Sequence, residues 1–375
     1  MIRLTNLIGK LALLFVSTSV SLLLGEAVVR QVAPQPLFHL RPDIWSSDSG
    51  GLGHRLAPDL DTTINTGERD VRLLTDSEGH RIGIGDVPVA GHVLALGDSF
   101  LEAMAVPYEH TVTAQLSHSV SERRGIPTYI RNTGVAGYGP AHYRLTAASE
   151  LSKRPYDAAL VFLFLRNDLK KRHRRRFPPR QPLALPVWRL PQALSPAEIS
   201  AALIYPAYTR LRSRSHLAVL AKQRLLPILA TLGLMSDARQ AEQILVLGAS
   251  DLEIVATADV CEEIADFARL QRVPVLFVLI PADFQVNPGL GRGYAASLGL
   301  ADSDSAALAN PNRFFSTELR SRGLHVADAL DSLRSAHASG IAVYGKVDRH
   351  LSPAGHRVLA ELVGPELLRM LDSDP

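Results

Sequence analysis

From His92 onward, apolar residues fall into short runs separated by longer amphipathic stretches. Val93-Leu94-Ala95-Leu96 is one such run, closed by Gly97, and helical spacing follows over residues 110–124. Residues 129–132 and 158–165 read as further strands, with a helical stretch over 141–151 between them. Residues 159–165 show no polar alternation, as expected of a strand buried on both faces. Another such run spans 273–280, preceded by a helix over 251–270 and followed by a weaker strand at His325-Val326. A last helix is predicted over 353–371, with Pro353 suited to its first turn. Strands alternating with helices predict an α/β fold built on a parallel, doubly wound sheet.

Three segments depart from that rhythm. Residues 31–90 are rich in Gly, Pro, Asp and Thr, which predicts a lead-in of short strands and turns. Residues 169–250 interrupt the alternation with a basic run (Lys170, Lys171, Arg172, Arg174, Arg175, Arg176), then prolines, then helical stretches over 199–212 and 217–232. They read as an insertion capping the C-terminal edge of the sheet. At the N-terminus, Arg3 and Lys10 precede an apolar stretch over residues 11–25. This stretch is either the core of a signal peptide, cleaved near Gly25-Glu26-Ala27, or part of an uncleaved anchor helix over 7–29. Either way the positive charge precedes the apolar run, which puts the remainder outside the cytoplasm. The expected organisation is a signal or anchor (1–30), the lead-in (31–90) and a main domain (91–375) carrying the insertion.

Composition adds limits. At 375 residues, with 46% hydrophobic and 21% charged, the chain can bury a full core. A net charge of +3 gives no reason to propose nucleic acid as a partner. The single cysteine, Cys261, falls in a run with helical apolar spacing and reads as buried; no Cys/His spacing suggests a metal site.

The candidate chemistry begins at Gly97-Asp98-Ser99. A serine directly after an apolar strand sits at the edge where parallel sheets place their sites. Serine becomes a useful nucleophile when a histidine takes its proton and a carboxylate orients that histidine. Asp348-Arg349-His350, just before the final helix, supplies both on a loop over the same edge. The G-x-S-x-G elbow of α/β-hydrolases is absent.

Together these residues resemble the SGNH/GDSL hydrolase family, whose separated blocks centre on a serine, a glycine, an asparagine and a histidine. Gly97-Asp98-Ser99 is similar to the first block, residues 132–137 to the second, Asn167-Asp168 to the third and Asp348-Arg349-His350 to the last. The resemblance covers about residues 92–372 without the insertion, and is strongest to extracytoplasmic members with an anchored N-terminus. It implies a three-layer, flavodoxin-like α/β fold. It further implies Ser99 as nucleophile, His350 as base and Asp348 as its orienting carboxylate. An oxyanion hole would come from the backbone N–H groups of Ser99 and Gly137 and the amide of Asn167. Two departures stand out: Leu165 occupies the usual glycine of the third block, and one residue fewer than usual separates Asp348 from His350.

Other residues have plainer readings. Asp98 and Asp168 are expected to structure their loops, Ser250 to cap the helix after it, and His356 to lie at the surface or behind the site. The basic run is a solvated loop or a contact for an anionic substrate or lipid headgroups. The function implied is a serine esterase acting on carboxylic O-acyl or O-acetyl esters of a small molecule, glycan or lipid. The alternatives are an O-acyltransferase for an exported polysaccharide and a non-catalytic envelope binding module. No cofactor or metal is implied.

Overall fold

The computed structural model describes residues 2–35, 37, 41–48, 50–83, 91–169, 211, 214–231, 251–297 and 310–372. Lys170–Arg176, Ser250 and most of the 169–250 insertion lie outside these residues. The chain divides into two compact units, one comprising Met1–Arg41, Ile64–Asp70 and Gln181–Asp237, the other Pro42–Thr63, Val71–Arg180 and Ala238–Pro375.

The first unit contains helix α1 (Ile2–Val32), and Gly9–Val32 within it is long and apolar enough to cross a membrane. Leu13, Phe15 and Leu23 are at least 70% exposed, so most of this apolar surface has no partner within the described chain. Near its end, Glu26 accepts from Arg30 Nε (2.7 Å), Ser215 Oγ (2.8 Å) and the backbone N–H groups of His216 and Leu217 (3.0 and 2.9 Å). The two backbone bonds satisfy open N–H groups at the start of a second helix, His216–Thr231, which matches the helix expected over 217–232.

In the second unit, β1 (Trp45–Asp48) and β2 (Gly53–Leu56) form an antiparallel hairpin. The lead-in continues as β3 (Asp61–Asn65), β4 (Asp70–Thr75) and β5 (Arg81–Ile82). The main strands are β6 (Gly91–Leu96), β7 (Thr128–Asn132), β8 (Ala158–Phe164), β9 (Val275–Ile280) and β10 (His325–Asp328). The eight-stranded sheet runs β10-β9-β8-β6-β7-β5-β4-β3. From β10 to β7 every pairing is parallel, as expected of doubly wound α/β. The lead-in extends this sheet through antiparallel pairings of β5 with β7 and of β4 with β5. These strands are short and half exposed, so their sequence shows alternation without revealing which edge they join.

β8 and β9 are buried along their whole lengths because helices cover both faces. Leu160, Phe162 and Phe164 face one layer with helices Val112–Arg124 and Pro353–Asp372. Leu94, Val161 and Leu163 face the other, with helices Pro140–Lys153 and Asp251–Leu270. Among the parallel strands in chain order the arrangement is 2-1-3-4-5, so the winding reverses between β6 and β8. A crevice opens beyond the C-terminal ends of strands at such a reversal. Cys261 is fully buried on the Asp251–Leu270 helix, as its spacing predicts.

Phe162 is 1% exposed at the centre of this sheet. Phe162→Ala is expected to cost about 3–5 kcal/mol of unfolding free energy, read by urea denaturation of the detergent-solubilised chain. A loss below about 1 kcal/mol would show that the layers collapse around the missing ring.

Candidate active site

β6 ends at Leu96, and the chain turns sharply. A Cβ on Gly97 would fall 2.7 Å from Leu101 Cβ, so the approach of strand to helix requires glycine. Asp98 caps the one-turn helix Ser99–Glu102, accepting from Phe100 N at 2.9 Å. Ser99 is thereby held at the mouth of the crevice with its Oγ outside the sheet.

His350 arrives from the other end of the chain on a tight loop. Tyr344 and Leu351 form a β-bridge, Gly345 N donates to His350 O at 2.8 Å, and the Tyr344 hydroxyl donates to Pro281 O at 2.6 Å. Nδ1 of His350 lies 2.7 Å from Asp348 Oδ2, and its Nε2 lies 2.9 Å from Ser99 Oγ. The carboxylate can only accept, so Nδ1 carries the proton and Nε2 is the acceptor facing the serine. The imidazole also rests on Phe100, with centroids 4.7 Å apart. The short Asp-x-His spacing is accommodated by Arg349, whose φ of +62° is left-handed. Its guanidinium is held by the buried carboxylate of Asp283.

The two other expected contributors flank the same strand end. Asn167 Nδ2 donates to Asp98 Oδ2 at 2.9 Å, leaving its second amide hydrogen unused by that bond. Leu165, at the usual glycine position, is fully buried at the start of the turn Leu165–Asp168. The segment after β7 is pinned to Gly97 by Val135 N (3.3 Å to Gly97 O). There Val135–Gly137 lead into a turn closed by Tyr138 N to Val135 O at 3.1 Å, with Gly137 at φ +90°. A positive φ at the third position alone defines a type II turn and favours glycine.

Burial by itself would lower the pKa of His350, but the Asp348 hydrogen bond and charge outweigh it and raise it above 6.5. Close by, burial pushes the Glu102 carboxyl up to about 8, against the opposing pull of the Ala136 N–H and the charges of Arg81 and His350. Glu102 is therefore largely protonated at neutral pH. Burial likewise lowers Arg81, to about 10, which leaves it charged. Its buried guanidinium donates to the carbonyls of Glu102 (2.8 Å), Ala103 and Val106 (2.6 Å), gathering the chain after the serine.

No family model and no curated protein sequence matches the chain. Solved structures do. A lipolytic protein of the G-D-S-L family from Veillonella parvula is similar over 73% of this chain and 96% of its own, at 12% identity and a TM-score of 0.39. A catalytic mutant of Axe2, an acetylxylan esterase from Geobacillus stearothermophilus, is similar over 77% and 97%, at 9% identity and a TM-score of 0.40. The functional reading rests on the geometry of this chain.

The remaining expectations divide. Asp168 accepts from Tyr143 Oη and Phe164 N, both at 3.0 Å, as a loop-structuring residue should. Of the two places expected for His356, the surface is excluded: it is 1% exposed, and its Nδ1 accepts from Val112 N at 3.3 Å. Burial lowers its pKa to about 3, so it is neutral there. Its helix packs inward at that turn, which Gly355 permits by passing close to Val343 O. Among the described residues, Asp76, Glu78 and His80 form the one cluster with metal-ligand spacing. Arg131 contacts all three and Arg154 also pairs with Glu78, so arginines take the place of an ion. Arg81, Glu102 and Phe100 were invisible as contributors in the sequence; the one signal is that a Glu and an Arg adjoin apolar residues that must be buried.

Glu102 also has a stability consequence. Its folded pKa lies above its ordinary 4.5, so the unfolded chain loses this proton first and stability falls as pH rises from 4.5 to about 8. Glu102→Gln is expected to be neutral for stability near pH 4. At pH 8 it should stabilise the fold by on the order of a few kcal/mol. Melting temperatures of both proteins across that range test it, and parallel curves would refute the burial of an un-ionised carboxyl.

Proposed function

We propose that this chain is a serine esterase acting on carboxylic O-acyl esters, held outside the cytoplasm by α1. The observation that carries the reading is the unbroken hydrogen-bonded relay from Asp348 through His350 to Ser99, at the C-terminal edge where the sheet reverses its winding.

In the first step Ser99 Oγ attacks the ester carbonyl as His350 Nε2 takes its proton. Asp348 stabilises the imidazolium and keeps it oriented. Negative charge collects on the carbonyl oxygen, where the backbone N–H groups of Ser99 and Gly137 and the free amide hydrogen of Asn167 stabilise it. The C–O bond of the ester then breaks, His350 returns the proton to the leaving alkoxide, and an acyl-serine remains. In the second step water loses a proton to His350 and attacks the acyl-serine; the bond to Ser99 Oγ breaks, His350 returns the proton to that oxygen, and the acid is released. A sugar hydroxyl in place of that water would make the same intermediate a transferase.

The continuity of α1 through Gly25-Glu26-Ala27 supports an anchor over a cleaved signal peptide, because Glu26 caps the helix at His216–Thr231. Cleavage there would remove that cap.

The test uses the full-length chain in detergent micelles with a short-chain nitrophenyl ester. Ser99→Ala is expected to lower kcat by about 10⁴-fold or more. A variant as active as its parent would exclude Ser99 as nucleophile. Active protein that gives acylated sugar in preference to free acid would move the reading to transferase.

The pH profile offers a separate check. His350 must be neutral to accept a proton, and its pKa is raised, so kcat/KM should fall as pH drops through a midpoint above 6.5. Asp348→Asn removes the raising influence while burial persists. The midpoint is expected to move to lower pH, and kcat to fall by about 10⁴-fold. An unshifted midpoint would mean that another group sets the limb.

A further inference from the structure

The Val135–Tyr138 turn has a second property. Type I and type II turns differ by a flip of the central peptide, here the unit joining Ala136 C=O to Gly137 N–H. In a trans peptide the two groups point in opposite directions. Whichever side Ala136 O takes, Gly137 N–H takes the other. Glycine at position 137 tolerates φ on both sides of zero, so the residue itself does not choose between the two orientations.

A side chain from the lead-in hairpin of the same unit does choose. His54 lies on β2 of the lead-in hairpin, and its Nε2 is 2.8 Å from Ala136 O. A carbonyl oxygen only accepts, so His54 Nε2 is the donor. The ring is itself held. Trp45 and Tyr138 pack edge-on against it, each with centroids 5.5 Å away, and the Tyr138 hydroxyl donates to His54 O at 2.6 Å.

We infer that His54 is a positioning residue that locks the Ala136–Gly137 peptide with its N–H turned toward the oxyanion hole. The inference rests on the serine-esterase reading of the site. Loss of the lock admits the flipped turn, which presents a carbonyl oxygen where the developing oxyanion needs a donor. A hydrogen bond accepted at Ala136 O also polarises the peptide and strengthens the Gly137 N–H as a donor. The hairpin thereby acquires a role in catalysis through the peptide it holds.

The experiment compares full-length wild type, His54→Ala, His54→Gln and Tyr138→Phe in micelles, with kcat, KM and melting temperature measured for each. His54→Ala is expected to lower kcat by between about 10- and 1000-fold, the upper end being outright loss of one oxyanion donor. KM should stay within about twofold, because the interaction serves the transition state and not the bound ester. His54→Gln keeps an N–H donor and should recover most of the rate. Tyr138→Phe loosens the same hairpin without touching the Nε2 bond and should retain kcat within a few-fold. If His54→Ala does not fold, His54→Met takes its place against His54→Gln.

Equal kcat in wild type and in the donor-less variant overturns the inference, as does a loss in Tyr138→Phe as large as that in His54→Ala. Failure of the underlying reading looks different. Wild type would then be inert, and Ser99 would not be labelled by a fluorophosphonate that reacts with activated serines.

Discussion

One buried carboxylate ties the site together. Asp98 divides its two oxygens between Phe100 N, at the start of the helix that carries Ser99, and Asn167 Nδ2, at the end of β8. β6 and β8 are neighbours in the sheet but are separated in sequence by β7 and the helices Val112–Arg124 and Pro140–Lys153 on either side of it, because the winding reverses between them. A hydrogen bond across that reversal fixes serine and asparagine relative to each other more tightly than the backbone register alone, which ends at Leu96 paired with Val161. The short residue at position 98 therefore acts twice, as a helix cap and as a strap. Neither use needs contact with substrate.

Around that strap, ionisable groups are buried with part of their hydrogen-bonding capacity unmet: Arg81 Nε and Glu102 Oε1 have no partner among the described residues. Arg81 is fully buried and Glu102 nearly so, yet they do not form a close ion pair; the guanidinium spends its donors on three backbone carbonyls instead. This division lets the turn after Ser99 close without relying on helix length, since that helix has a single turn and ends at Ala103 in a left-handed conformation. The neutral Glu102 carboxyl adds no full charge beside His350. An ionised one would raise the His350 pKa further and leave less of the imidazole neutral at pH 7.

The sequence reveals the parallel core because those strands are continuous apolar runs: β8 and β9 are buried on both faces, so no alternation obscures them. The sequence offers Ser99 after an apolar strand and Asp348 and His350 on the loop before the last helix, and the structure joins the three by hydrogen bonds. Several features were not legible. The edge taken by β3 to β5 depends on pairings between short strands far apart in sequence. The short helices Asp283–Val286 and Leu330–Ala338 have too few turns to show a period. Arg349 reads as an ordinary loop arginine until its backbone angle and its ion pair with Asp283 are known. His54 lies more than eighty residues before its partner loop, in a segment whose composition says only that it turns.

The N-terminal helix α1 shows the same economy of polar groups in an apolar setting. A lone carboxylate near the end of a membrane span is costly and would favour shortening the span. Glu26 is not alone: an arginine one turn away and three donors at the start of the next helix share its two oxygens. At ~1.5 Å rise per residue, the helix from Gly9 to Val32 covers ~36 Å, against a hydrocarbon thickness of ~30 Å. In a membrane span of that length, Glu26 and Arg30 would fall in the last turns, where headgroups and water begin. A carboxylate so placed ties the helix from His216 to Thr231 to the end of α1, and in a spanning helix it would carry no unpaired charge into the lipid.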